Sequence, residues 1–232
     1  MDAKKNIAFV VMTHGNERVG HFVLYYCPYG QTDKRRWDVI VGNPEAYMQG
    51  VRYVDEDLNR LFDLSEQADT VEGRRAVSLR RQLEQYDQVY DIHQYTPNML
   101  DTQPIAFINN MEPETLQMLE PLDLSRVIVD DNPKYNKQYV TSVRPHSVCI
   151  EYAMSSYIVD CSYTSLDFER IIEVEPAKKE KQFYRSVRSA TREEVGDVKP
   201  WDEVTVDGKR YYTYFVDPTE QYGSYCWLAE KI

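Results

Sequence analysis

Apolar positions along the chain alternate between two kinds of pattern. Ile7 to Met12 is an unbroken run, Ile-Ala-Phe-Val-Val-Met, with the length and β-branched content of a strand covered on both faces. It stops at Thr13-His14-Gly15. The stretch from Arg18 to Tyr26 then sets Val19, Phe22, Val23 and Tyr26 at helical spacing until Pro28 ends it. Val39-Ile40-Val41 reads as a second strand, closed by Gly42-Asn43-Pro44, and Arg52 to Arg60 as a polar loop. From Val71 to Tyr86, Ala76, Leu79, Leu83 and Tyr86 form one stripe while Arg74, Arg75, Arg80 and Arg81 lie elsewhere, which predicts an amphipathic helix. Strands are expected after it at Val89–Ile92, Pro104–Ile108 and Ser147–Ile150, with a short helix at Glu114–Leu119.

Strands that alternate with helices imply βαβ units, so the expected fold is α/β with a mixed, mostly parallel sheet flanked by helices. Past Asp167 the pattern changes to short strands at Phe183–Val187, Glu203–Val206 and Arg210–Val216, with Asp207-Gly208 as a hairpin turn. The chain therefore divides into an α/β domain, residues 1–167, and a small β-rich C-terminal domain, residues 168–232, with the charged stretch Glu175 to Gln182 as connector.

A formal net charge of −11 argues against nucleic acid, whose phosphates need clustered cations. No apolar run approaches the roughly 18 residues that span a membrane. Met1 to Asn6 leads into the first strand without a signal-peptide core, which implies a cytoplasmic location. Cys27, Cys149, Cys161 and Cys226 form no C-x-x-C pair, so they read as reduced thiols rather than a disulfide frame or structural zinc site.

Open α/β sheets place their sites where strands end and loops emerge. His14 and Glu17 follow the first expected strand, His93 follows Val89–Ile92, and Glu151 follows Ser147–Ile150. Two imidazoles and a carboxylate are a common catalytic zinc set. On spacing alone the alternatives stay open: His14 as a turn residue, Glu17 as a helix opener, His93 as a satisfied core histidine and Glu151 as a strand flank. His21 reads as structural, and a Cys149–His146 thiol pair has no support beyond proximity in sequence.

Four segments carry a resemblance. Thr13-His14-Gly15-Asn16-Glu17 resembles the T-H-G-N-E metal motif of the aspartoacylase and succinylglutamate desuccinylase family, within the zinc carboxypeptidase superfamily. Asn43-Pro44 and the run from Arg52 to Phe62 are similar to that family's N-P and R-Y-x-D-x-D-L-N-R-x-F segments. Asp91 to Met99 resembles D-x-H-x-x-T-x-N-M, and Cys149-Ile150-Glu151 the strand ending in the catalytic glutamate. Trp201 to Gly208 and Tyr214 to Tyr222 resemble the family's β-rich C-terminal domain more faintly. The chain departs from the pattern at Tyr95, where a small hydroxyl residue is usual, and at Tyr152-Ala153 in place of V-G.

The resemblance implies a zinc carboxypeptidase-like fold that hydrolyses the amide of a small anionic N-acyl amino acid, with no nucleic-acid or membrane partner and a homo-oligomer left open. It implies one zinc ion held by His14, Glu17 and His93. Glu151 is implied as general base and Arg52 as the cation for the oxyanion. Asn59 and Arg60 are implied to grip the substrate carboxylate, with further substrate contacts from Tyr139, Arg144 and Tyr222. Two rivals keep the same metal geometry: a zinc carboxypeptidase acting on short peptides, and a metal-binding descendant without turnover.

Overall fold

The computed structural model describes residues 4–26, 28–63, 69–95, 103–132, 136–153, 159–220 and 223–232, with backbone alone at 26, 136 and 159–163. The elements in chain order begin with β1 (Lys5–Val11), α1 (Val19–Tyr26), β2 (Tyr29–Gln31), β3 (Arg35–Val41), α2 (Pro44–Gln49), α3 (Val71–Leu83) and β4 (Gln88–Tyr95). They continue with β5 (Ile105–Ile108), α4 (Pro113–Leu119), β6 (Arg126–Val129), β7 (Ser147–Ala153), α5 (Val159–Glu173) and β8 (Gln182–Ala190). The chain closes with α6 (Arg192–Val195), β9 (Glu203–Val206), β10 (Lys209–Tyr214) and β11 (Cys226–Lys231).

All the described strands join one sheet, in the order β2-β3-β1-β4-β7-β5-β6-β8-β11-β10-β9. The centre β3-β1-β4-β7 is parallel, as are β5-β6 and β6-β8. Antiparallel ladders join β2 to β3 and β5 to β7, and they run through the C-terminal strands β8-β11-β10-β9. The fold class is thus the expected α/β one, with a β-rich C-terminal region that extends the same sheet through β8. Helix α5 crosses residues 167 and 168.

The unbroken apolar run of β1 has a direct cause: helices cover both faces of the strand. Ile7, Phe9 and Val11 face a cluster with Val19 and Val23 of α1 and Phe168 and Ile171 of α5. Ala8 and Val10 face the opposite cluster with Ala76, Leu79 and Leu83 of α3. Helix α3 starts where Thr70 caps Gly73 N at 3.0 Å and ends at Leu83, three residues before the expected Tyr86. No helix among the described residues is long and apolar enough to cross a membrane.

The structure differs from the sequence reading at strand ends and in elements the sequence did not announce. Strands β4 and β7 run on to Tyr95 and Ala153, so His93 and Glu151 lie inside strands rather than just beyond them. Pairing of His93 with Glu151 and of Tyr95 with Ala153 sustains both extensions. Elements α2, α5, α6, β2, β6 and β11 have no counterpart in the sequence reading.

Candidate active site

The sheet register gathers the ligand candidates. Parallel pairing sets Asp91 beside Cys149 and His93 beside Glu151. Alternate residues of a strand share a face, so these four side chains project from one face of β4 and β7. His14 and Glu17 come from the turn after β1, where Glu17 N donates to His14 O at 3.0 Å. Ligand atoms of His14, Glu17 and His93 all lie within 4.8 Å of one another, and all three residues are buried.

Within that cluster His14 Nδ1 is 2.5 Å from Glu17 Oε1, and His93 Nδ1 is 3.1 Å from Glu17 Oε2. Burial alone would raise the Glu17 carboxyl, but the two imidazoles pull it down to about 2. Its buried Oε2 receives no hydrogen bond of acceptable geometry from the described residues. A buried ionised carboxylate between two ring nitrogens, with one oxygen unsatisfied, fits zinc in its donor set and its charge. Behind it Asp91 Oδ2 lies 2.8 Å from His93 Nε2, and Asp91 Oδ1 accepts from Thr13 Oγ1 at 2.8 Å.

The polar loop closes over this cluster. Arg52 Nη2 lies 2.9 Å from His14 Nε2 and 3.2 Å from Asp57 Oδ2, and Asp57 Oδ1 is 3.0 Å from the same His14 nitrogen. Although partly buried, Asp57 is held well below the usual carboxylate range by His14, Arg60 and Arg52. Asp57 also caps the 3₁₀ turn Leu58–Arg60 by accepting from Asn59 N at 2.9 Å. Asn59 serves structure as well as the site: its Oδ1 accepts from Val140 N at 2.9 Å while Nδ2 approaches His93 Nε2 at 3.5 Å. Arg60 donates to Asn59 O at 2.7 Å and lies over the Tyr139 ring, 5.1 Å from its centre.

These groups line a cavity of about 370 Å³, a size suited to one small ligand. Glu151 is part of its lining, and burial, with Glu17 adding and His93 opposing, pushes its carboxyl up to about 7. The lining also carries an aromatic wall: Tyr95, Phe107, Tyr139, Tyr214, Phe215 and Trp227. Phe107 and Phe215 stack at 5.4 Å and 4°, and Phe215 holds φ at 46°, a strained value for a bulky residue.

His14, Glu17, His93, Arg52, Asn59, Arg60, Tyr139 and Glu151 therefore meet at one place. Arg144 does not line the cavity, and its carbonyl accepts from Ser147 Oγ at 2.9 Å. Tyr222, and the 96–99 part of the third motif, lie outside the described residues.

Residues 3–157 match the succinylglutamate desuccinylase/aspartoacylase catalytic domain, more than half of the chain. The chain belongs to this family. Mouse aspartoacylase is 29% identical over 168 residues, which span 63% of this chain and 54% of that protein. An N-acyl-aromatic-L-amino acid amidohydrolase of Xenopus laevis is 26% identical over 158 residues, 60% of this chain and 52% of its own length. Both matches thus cover about half of the relative. In structure, murine aminoacylase 3 superposes with a TM-score of 0.75 at 17% identity, over 100% of this chain and 97% of that one, which shows the shared fold.

Asp57 and Asp91 stand inside the quoted family motifs, yet only the structure shows them against His14 and His93. Asp91 could have been found from spacing, because in a strand it shares a face with His93. The aromatic wall carries no such signal, since Phe107 lies in β5 and Phe215 just past the end of β10. A Cys149–His146 pair does not form: His146 is beside Glu114 at 3.4 Å, and burial raises the Cys149 thiol well above its usual value.

Proposed function

We propose that this family member is a zinc-dependent amidohydrolase that cleaves an N-acyl amino acid into a carboxylate and a free amino acid. The observation that carries this reading is Glu151, set beside His93 by the β4–β7 register and facing the same cavity as His14, Glu17 and Arg52. His14, Glu17 and His93 would hold one zinc ion, which when bound supplies a Lewis acid for the scissile carbonyl and acidifies water. Glu151 takes the proton of the attacking water and returns it to the leaving amine, a shuttle for which a carboxylate is well suited. Arg52 faces the charge that develops on the carbonyl oxygen. Arg60, with Asn59 behind it, holds the substrate's α-carboxylate.

The aromatic wall supports a substrate whose side chain or acyl group is flat and apolar. Arg60 and Arg52 are the only guanidinium groups among the described lining residues, and Arg52 is already engaged with Asp57. The same lining includes Asp130 and Asp217, which disfavour a second substrate carboxylate. These features support a preference nearer the substrates named for the Xenopus relative than N-acetylaspartate.

The test is amine release by the zinc-loaded protein from N-acetyl-L-phenylalanine, N-acetyl-L-tyrosine, N-acetyl-L-aspartate, N-succinyl-L-glutamate and short blocked peptides. Release from acyl amino acids, lowered by orders of magnitude in Glu151→Gln with zinc content unchanged, is the expected result. Release from peptides alone would replace this reading with a carboxypeptidase. Turnover untouched by Glu151→Gln would remove that residue from the mechanism.

A further inference from the structure

One fully buried carboxylate lies outside the proposed chemistry and is tied to the loop that carries much of it. Glu72 sits in the first turn of α3 and is inaccessible to solvent. Its Oε1 accepts from Val54 N at 2.6 Å and from Asn43 Nδ2 at 3.0 Å. Its Oε2 accepts from Asp55 N at 3.0 Å and from Glu56 N at 3.3 Å. Three successive amides of the loop thus wrap one carboxylate, as backbone nests wrap a bound anion.

Further contacts reinforce the same junction. Asp55 Oδ2 accepts from Val71 N at 2.8 Å, and Thr70, the cap of α3, hydrogen-bonds Glu56. Asn43 is buried too; its Oδ1 accepts from Ala46 N at 3.2 Å, capping α2, and its N–H donates to Met12 O at 2.9 Å. Glu72 therefore joins α3 to the loop and, through Asn43, to the end of β1 that leads into His14.

Arg52 and Asp57 flank the three wrapped amides on either side. Arg52 O accepts from Gly15 N at 3.1 Å, which ties that end to the turn between His14 and Glu17. Asp57 caps the turn that bears Asn59 and Arg60. We infer that Glu72 is a positioning residue: its carboxylate serves as a built-in anion that fixes the 52–60 loop, and so places Arg52, Asp57 and Arg60 around the proposed reaction centre. The inference rests on the amidohydrolase reading for what the loop does, but not for how it is held. Hydrogen bonds to Glu72 overcome its burial and lower the carboxyl below the ordinary value, in keeping with a permanently charged hub.

The experiment compares wild type, Glu72→Gln and Glu72→Asp, each with zinc, by amide hydrogen exchange and by steady-state kinetics per folded molecule. In Glu72→Gln one acceptor oxygen becomes an N–H donor facing donors. Exchange at Val54, Asp55 and Glu56 should rise about tenfold or more while the β1, β4 and β7 amides keep their protection. kcat/KM should fall about 10- to 100-fold with zinc content unchanged, because small displacements of positioning groups are costly in rate. Glu72→Asp keeps the charge but is one methylene shorter, and should fall between the two; it replaces Glu72→Gln if that variant does not fold. Loop amides as protected as in wild type, or exchange raised evenly through the whole chain with kcat/KM intact, would overturn the inference. If wild type hydrolyses nothing, the amidohydrolase reading fails by itself, and the exchange pattern alone decides whether Glu72 holds the loop.

Discussion

Asp91 Oδ2 lies 2.8 Å from His93 Nε2. This contact fixes the ring so that Nδ1 points toward Glu17, 3.1 Å from its Oε2. Asp91 is itself buried and held by Thr13 Oγ1, the residue before His14, so two of the proposed ligands share one support. A carboxylate behind a ligating histidine orients the ring and raises its basicity.

Asp91→Asn should therefore weaken zinc binding about 10- to 100-fold without removing the site. Competition with a chromophoric chelator measures this directly. Affinity equal to wild type would mean that strand packing alone orients His93, leaving Asp91 without a part in metal binding.

Gly15 stands between the two proposed ligands of the first turn and is packed on α2. A Cβ added there would lie 2.2 Å from Ala46 C and 2.3 Å from Tyr47 N, both backbone atoms. Neither can rotate away, so Gly15→Ala must push α2 and the His14–Glu17 turn apart. Expected losses are about 1–3 kcal/mol of stability, together with weaker zinc binding. Urea unfolding with and without zinc checks both; a variant with the wild-type midpoint would show that α2 shifts at no cost.

The parts of the fold that can be read from sequence are those where burial is one-sided or complete and the residues are apolar. β1 is legible because both of its faces meet helices, and α3 because Ala76, Leu79 and Leu83 share a stripe. Helix α5 is not legible for the opposite reason: its buried face mixes Phe168 and Ile171 with Thr164 and Asp167, which break the apolar period. His93 and Glu151 mislead boundary reading in the same way. They are polar residues inside strands, tolerated because a polar site lies on one face. The gathering of ligands from the turn after β1 and from β4 follows from motif and strand order, whereas much of the aromatic wall depends on β11 returning beside β8 with β10 on its far side, which no local pattern announces.

Asp167, the polar residue that hides α5, gives the protein a stability that depends on pH. It is fully buried; Oδ1 accepts from Asp123 N at 2.8 Å and Oδ2 from Tyr152 Oη at 2.9 Å. Burial raises its carboxyl to about 6, and these bonds with the nearby Arg170 only partly offset that. Because the folded chain holds this proton more tightly than the unfolded chain, the group's stabilising contribution is complete below the unfolded value of 3.8 and is lost as pH rises through about 6. Between pH 5 and 7.5 the wild type should therefore lose about 1 kcal/mol through this group alone. Asp167→Asn cannot ionise and should gain on the wild type by that amount over the same interval, whatever the substitution costs at pH 5. Urea unfolding of both proteins at the two pH values supplies the comparison. A constant gap between them would show that Asp167 is already ionised in the fold at pH 5, stabilised by Arg170 and Tyr152 against its burial.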